Sequence, residues 1–248
     1  MAVVACCAAA GSSGVSTTGL LLAALTPGAE PVLFVETDPS GGDVAAWMGS
    51  GDRPGLATLV TEPDRSSTGL SAHVQRLPSG LAVLVAPARA QQAAVAVREV
   101  VPWLAPILVA ERRVLSVCDA GRVDPVALPA VVTHADLAVV VLRQSPDSGP
   151  GTVARVDRTG ELVERLAWAG VAHALAVVGV GPYRADELAA HVAADLLGVL
   201  PEDARGASAA SGGWTLGRAA GRSVLAGAGR HLAVSVMGRV AAQGAVTR

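Results

Sequence analysis

The chain has 248 residues, of which 51% are hydrophobic, and a formal net charge of −2. This length and composition favour one α/β domain over residues 1–248 with a large buried core, and without a basic excess they give no indication of a nucleic-acid partner. Arginine supplies all 19 basic residues, so the chain contains no lysine.

The cysteines and the apolar segments indicate the compartment. Cys6, Cys7 and Cys118 lie within apolar runs, as buried thiols in a reducing compartment do, and they predict no disulfide. The N-terminal apolar run lacks a basic leader and ends in a Gly-Ser turn, which is not the pattern of a signal peptide. No unbroken run of about 18 apolar residues predicts a transmembrane helix. We therefore expect a cytoplasmic protein without a transmembrane segment.

The first predicted unit is a buried strand over residues 2–9, a Gly/Ser-rich loop and a helix over residues 16–25. This order is typical of the turn that binds phosphate in many α/β proteins. The loop N–H groups, made accessible by Gly11 and Gly14, and the positive end of the helix dipole would hold an anion without a charged side chain. The same residues would also form a simple turn into a helix capped by Ser or Thr, and this stretch alone leaves both interpretations open.

Strands and helices alternate along the rest of the chain. Further strands are predicted over residues 32–37, 81–86, 114–119, 137–142, 174–180 and 197–200, and helices over 89–101, 153–169 and 184–194. Pro102 should end the first of these helices, and residues 50–80 should form loops with small helices. The alternation predicts a mostly parallel sheet of seven or eight strands with helices on both faces.

Apolar residues at helical spacing after Gly217 predict a C-terminal helix. They are Leu225, Leu232, Val236 and Val240, with Arg222, Arg230 and Arg239 between them. We expect a helix that packs on the sheet; the alternative is an anchor at a membrane surface.

Two carboxylates follow predicted strands at the edge where open parallel sheets bind ligands. Asp38 comes after the second strand, and Asp119 ends the fourth. With the Gly-Ser loop and Thr17-Thr18, the segments Val35-Glu-Thr-Asp-Pro-Ser-Gly-Gly and Val117-Cys-Asp resemble, in order and spacing, the ParA/MinD family of deviant P-loop ATPases, including its CpaE-like pilus-assembly members. The segment Gly198-Val-Leu-Pro-Glu-Asp resembles the one before the family's adenine-side loop. The resemblance covers nearly the whole chain.

The resemblance implies a P-loop NTPase fold that binds ATP or ADP with magnesium. The family's loop, K-G-G-x-G-K-T-T, falls on residues 11–18, so the implied nucleotide-binding residues are Gly11, Ser12, Ser13, Gly14, Val15, Ser16, Thr17 and Thr18. Both lysines are absent, because Gly11 and Ser16 stand in their places. Thr17 and Asp119 would hold magnesium, and Asp38 would orient water.

Two further acids lie beside these positions. Glu36 stands where the family commonly has its first Asp, and the sequence leaves open whether it serves the site or is satisfied within the structure. Asp43, in a Gly-Gly-Asp turn, is expected to cap a helix and not to bind a ligand.

The absent lysines set the functional expectation. Each missing charge-stabilising group slows a reaction of this kind about 100- to 1,000-fold, so hydrolysis should be slow or absent unless Arg122, Arg143 or Arg184 compensates. The leading hypothesis is a nucleotide-binding, spatial-organising or scaffold protein with a protein partner, in pilus or secretion assembly or in chromosome partitioning. The alternatives are an ATPase that uses arginine and an interaction module with a vestigial site. The family's dimer, which needs a crossing lysine, is not expected.

Overall fold

The computed structural model describes residues 2–28, 31–146, 149–211 and 223–246. Within these ranges eight strands form one sheet, in the order β3-β4-β2-β5-β1-β6-β7-β8. The strands are β1 Val3–Ala8, β2 Val32–Glu36, β3 Gln75–Arg76, β4 Ala82–Leu84, β5 Leu115–Arg122, β6 Leu137–Arg143, β7 His173–Val178 and β8 Leu196–Leu200. All neighbouring pairs are parallel except β3 and β4. The predicted mostly parallel sheet is confirmed.

Helices cover both faces of this sheet. Their bounds are α1 Val15–Leu25, α2 Val44–Trp47, α3 Leu56–Leu59, α4 Ser67–Ser71, α5 Ala90–Ala110, α6 Ala130–Thr133, α7 Gly149–Trp168, α8 Ala185–His191, α9 Ala204–Ser211 and α10 Val224–Val246. One hydrophobic cluster joins the sheet to α5, α7 and α8, and the other joins it to α1 and α10. Because the central strands are buried on both faces, their sequences are continuously apolar.

The close approach of α1 to the sheet depends on a small residue. A Cβ on Gly19 would lie 2.9 Å from the Phe34 ring on β2, which is too close for an unshifted side chain. Glycine therefore lets α1 pack directly over the strands, and this places the loop that precedes α1 at the carboxyl edge of the sheet.

Helix α5 does not end at Pro102, contrary to the sequence prediction. It runs to Ala110 and contains Pro106 as well. Both prolines are exposed, so the carbonyl groups that lose their N–H partners face solvent, where water can satisfy them. The longer helix has the length and apolar composition that a membrane span needs. Its Ala96, Val100 and Leu104 are nevertheless buried in the core of the domain.

The remaining boundaries differ from the sequence predictions by a few residues. α7 begins at Gly149, α8 ends at His191, and β5 continues past Asp119 to Arg122. The two-residue strand β3 lies in the region predicted as loops and small helices, and it is too short to show an alternating pattern.

Helix α10 packs on the sheet, as expected. Its Leu225, Leu232 and Val236 are buried in the same cluster as α1. Arg222, part of the predicted segment, lies outside the described residues.

Candidate functional site

The loop between β1 and α1 folds into a tight turn. Gly14 directly precedes α1 with a φ of 85°, and Ser12 has a φ of 57°. The Ser13 hydroxyl donates to the Ala10 carbonyl at 2.7 Å, and the Thr18 hydroxyl donates to the Gly14 carbonyl at 2.8 Å. The left-handed conformation at Gly14 favours glycine, and it lets the chain turn from the strand directly into the helix.

Ser16, the second residue of α1, lies close to a carboxylate on a neighbouring strand. Its side chain lies near enough to the Asp119 carboxylate on β5 to lower the pKa of that acid. Thr17 lies one residue further along α1, and Val15 stands one residue before Ser16 with 7% of its surface exposed. The loop therefore brings Ser16 close to the acid, and Thr17 lines the cavities over the loop.

The position of Gly14 favours a register of the loop one residue earlier than the expected one. The pattern G-x-x-x-x-G-K-[ST] has a glycine, a lysine and a hydroxyl residue in succession. Gly14, Val15 and Ser16 match it with the glycine at the left-handed turn and the hydroxyl at the carboxylate. The lysine position is then Val15 instead of Ser16, and the family's first lysine falls on Ala10 instead of Gly11. Both lysines remain absent in either register.

Asp119 lies deep in the site. It is 2% exposed, and its Oδ1 accepts a hydrogen bond from Gly121 N at 2.9 Å. Burial raises its pKa to about 6, and the bonds from Ser16 and Gly121 oppose this shift. The negative charge of Asp119 can therefore be balanced by a bound cation or by hydrogen-bond donors.

Asp38 lies at the same edge, as predicted, because β2 and β5 are parallel neighbours. Its Oδ1 accepts from Ser40 N at 2.7 Å. Gly121 has a φ of 59° and a Cβ there would collide with the Asp38 carboxylate, so this glycine makes room for the acid. Asp38 and Asp119 are close enough that the charge of Asp38 raises the pKa of Asp119.

Glu36 has a structural role, which settles the alternative that the sequence left open. Its Oε1 accepts from Asp43 N at 2.8 Å and Val44 N at 2.9 Å, and its Oε2 accepts from Ala86 N at 3.0 Å. The carboxylate ties β2 to the start of α2 and to the end of β4. Burial raises its pKa to about 7, and the three N–H bonds oppose the shift.

A cavity of about 640 Å³ lies over the loop. Residues 10–17 form its floor, and Asp38, Ser40, Asp43 and Trp47 line one side. Asp43 stands at the N-terminus of α2 as expected, but its side chain makes no capping hydrogen bond. It lines the cavity instead, which the sequence did not predict.

Two of the three candidate arginines, Arg122 and Arg143, line the cavity over the loop, which is called the phosphate-side cavity below. Arg143 also lines a second cavity of about 390 Å³, here called the outer cavity, together with Gly14 and Thr17. Arg184 lines neither cavity and forms an ion pair with Asp186 at 2.9 Å.

Arg143 is held between the loop and the segment after β8. Its Nε and Nη2 donate to Glu202 Oε1 at 3.0 and 2.6 Å, and its Nη1 lies 3.5 Å from the Ser12 carbonyl oxygen. In the sequence, residues 198–203 were treated as one segment similar to the family's, and Glu202 was not singled out. The two partners are 59 residues apart, so only the fold brings them together.

The outer cavity has mostly apolar walls beyond this ion pair. Val178, Leu200, Pro201 and Leu225 line it, and such a surface suits a flat aromatic ring. The arrangement can accommodate an anion over the loop and an apolar group beside it. In the part of the chain described here, no group of three or more His, Cys, Asp or Glu side chains is placed to bind a metal ion.

Comparison with known proteins bears on the fold. Neither a scan against protein-family models nor a search of curated proteins gave a match. Among solved structures, a ParA family ATPase from Chlorobium tepidum superposes with a TM-score of 0.73 at 20% identity, over 93% of this chain and 97% of that one.

Two MinD structures are also similar. The septum site-determining protein MinD from Pyrococcus horikoshii, complexed with Mg-ADP, has a TM-score of 0.74 at 18% identity, over 98% of this chain and 99% of that one. MinD in the MinC:MinD cell division complex of Aquifex aeolicus has a TM-score of 0.69 at 14% identity, over 96% of each chain. The chain therefore has the P-loop NTPase-like α/β fold of the ParA and MinD ATPases.

Proposed function

We propose that this protein is a ParA/MinD-like nucleotide-binding protein with a lysine-free loop, which hydrolyses ATP slowly or not at all and acts as a spatial-organising or scaffold component. The observation that carries the proposal is the cavity over the β1–α1 loop, which residues 10–17 and Asp38 line, with the buried Asp119 close to Ser16. A structure with the same fold is complexed with Mg-ADP, which supports ATP or ADP with magnesium as the ligand.

The residues present fit a magnesium nucleotide. Magnesium prefers oxygen ligands and is usually held by one or two carboxylates together with substrate phosphates. Ser16 and Asp119 would supply a hydroxyl and a carboxylate oxygen, and the loop N–H groups would bind phosphate. Bound magnesium would offset part of the phosphate charge. Asp38, exposed to the cavity, would position water.

The absence of both lysines argues for weak turnover. Phosphoryl transfer depends on preorganised positive charge around the transferring group. The uncharged residues Val15 and Ala10 stand at the two lysine positions. The absence of the two lysine charges would slow hydrolysis more than it weakens binding, because the backbone donors and metal ligands remain. The purely vestigial site and the active arginine-dependent ATPase are the alternatives that experiment must separate.

The scaffold role and the partner rest on resemblance. The MinD of the Aquifex complex is bound to MinC, which supports a protein partner for this chain, in pilus or secretion assembly or in partitioning. A cytoplasmic location is part of the same proposal.

Calorimetric titration with ATP, with magnesium and then with EDTA, tests the binding proposal. We expect wild-type protein to bind ATP more tightly with magnesium. Ser16→Ala should lose the magnesium-dependent part of the affinity, whereas its neighbouring control Thr17→Ala should keep most of it. Loss in Thr17→Ala alone would contradict the register that places Val15 at the lysine position.

Steady-state phosphate release then tests turnover. We expect release close to the background rate in protein that has been shown to bind ATP. Rapid release would contradict the slow-hydrolysis proposal and favour the arginine-dependent ATPase. Failure of wild-type protein to bind either ATP or ADP would leave the interaction module with a vestigial site.

A further inference from the structure

The positive charge at the junction of the two cavities comes from Arg143. Of the residues that line the phosphate-side cavity, Arg122 and Arg143 are the cations, and the half-buried Asp38 and the exposed Asp43 are the anions. Arg143 alone among these four also lines the outer cavity. Its guanidinium therefore stands at the passage between the loop and the apolar walls near Pro201.

The guanidinium is available to a ligand at low cost. The side chains of Arg143 and Glu202 are 40% and 42% exposed, and exposed ion pairs contribute little to stability. The Nη1 atom is already directed at the loop, 3.5 Å from the Ser12 carbonyl oxygen. A planar guanidinium can bind phosphate through two parallel N–H bonds, which are stronger than neutral hydrogen bonds.

We propose that Arg143 is the phosphate-binding cation of this site, and that Glu202 is its exchangeable counter-ion, released when the nucleotide phosphates take its place. This inference rests on the proposed function. It adds from β6 a positive charge for binding the nucleotide phosphates, while the lysine position on α1 stays uncharged. Glu202 then competes with the nucleotide for the same guanidinium, so it lowers the affinity of the site.

Removing each partner should have opposite effects on the affinity for Mg-ATP, measured by calorimetry. Arg143→Gln should weaken binding roughly 10- to 150-fold, as expected for loss of a charge-assisted contact. Glu202→Gln should tighten binding about 1.5- to 5-fold, the range for release of an exposed ion pair. In the double variant, Glu202→Gln should add nothing to the loss caused by Arg143→Gln.

The pair Arg184 and Asp186 provides the matched control. It has the same chemistry and an exposed ion pair, but it lines neither cavity. Arg184→Gln and Asp186→Asn should leave the affinity for Mg-ATP unchanged. If Arg143 had a purely structural role, Arg143→Gln would lower the thermal unfolding midpoint of the ligand-free protein. We expect this midpoint to stay close to the wild-type value.

The outcomes separate this inference from the proposed function. Unchanged affinity in Arg143→Gln, or weaker binding in Glu202→Gln, would overturn the role of the ion pair while wild-type protein still binds ATP. An additive effect of Glu202→Gln in the double variant would overturn the competition. Absence of ATP binding by wild-type protein would overturn the proposed function and this inference together.

Discussion

Glu36 is a buried carboxylate at the end of β2 whose oxygens accept three backbone N–H bonds. These bonds fix the loop that leads from Asp38 to α2, one wall of the phosphate-side cavity. A Cβ on Gly42 would lie 2.5 Å from Glu36 Oε2, so a glycine is needed beside the carboxylate. The residue thus shapes the site without lining the cavity.

Glu36 should make the stability of the protein depend on pH. Its pKa is raised from 4.5 to about 7 in the folded state, so the folded protein binds more protons than the unfolded chain between these values. The corresponding stabilisation is fully present below about pH 4.5 and is lost as the pH rises through 7. Asp119, whose pKa is raised to about 6, contributes a decrease of the same sign. Glu36→Gln should therefore make the fall in the free energy of unfolding shallower, above all between pH 6 and 7.5, measured by urea denaturation from pH 4.5 to 7.5.

Glu164→Gln, on the exposed face of α7, is the control and should keep the wild-type pH dependence. Glu36→Gln should also be less stable at every pH, because an amide offers only one acceptor oxygen to these N–H groups. Parallel stability curves for wild type and Glu36→Gln would show that Glu36 is not the titrating group.

The loop shows what the sequence could predict at the scale of residues. Gly-Ser residues before a helix and two acids after strands were sufficient to predict the site and its edge of the sheet. The register was also readable from the sequence, because of the three consecutive hydroxyl residues only Ser16 has a glycine two positions before it, as the pattern requires. The left-handed φ of Gly14 and the closeness of Ser16 to Asp119 agree with this register.

Among the elements, α10 has a defined buried side. Leu232 is 1% exposed beside α1 and the sheet, whereas Val234, two residues away, is 58% exposed. Leu232→Ala should lower the free energy of unfolding by about 2–5 kcal/mol, measured by denaturant titration. Val234→Ala, the control on the same helix, should change it by less than about 0.5 kcal/mol. Equal small effects would indicate that α10 does not pack as described.

Helices α5 and α10 also show which features of a helix the spacing of apolar residues can predict. The apolar spacing of α10 was sufficient to predict its buried face, since the pattern itself reflects burial. The end of α5 was not predictable in the same way. A proline breaks a helix in the interior, but Pro102 and Pro106 are four residues apart and both exposed, and sequence alone did not reveal that exposure.

At the scale of the molecule, the alternation of apolar runs and helical segments was sufficient for the sheet and its helices. The contacts that join distant segments were not predictable. Glu202 reaches Arg143 across 59 residues, and although Arg143 was a candidate cation and Glu202 lay in the segment 198–203, nothing in the sequence predicted that they form a pair. Such contacts depend on strand order, which places β6 beside β1 and the segment after β8 near the loop.

Self-association should be insensitive to nucleotide. The nucleotide-sandwich dimer of the family depends on a lysine that crosses between subunits, and the chain contains no lysine. Analytical ultracentrifugation should therefore give the same sedimentation coefficient and concentration dependence with Mg-ATP, with Mg-ADP and without nucleotide. A dimer that forms only with Mg-ATP would contradict this expectation.

The central claim is that residues 10–17 form a phosphate-binding loop whose lysine position is Val15, and a gain of affinity tests it most directly. Val15 lines the phosphate-side cavity, so a lysine there could extend toward the phosphates. By calorimetry, Val15→Lys should bind Mg-ATP roughly 10- to 150-fold more tightly than wild type, the value of one charge-assisted contact. Ser16→Lys, which removes the hydroxyl beside Asp119, should bind more weakly. Unchanged affinity in Val15→Lys, or tighter binding in Ser16→Lys, would contradict the account.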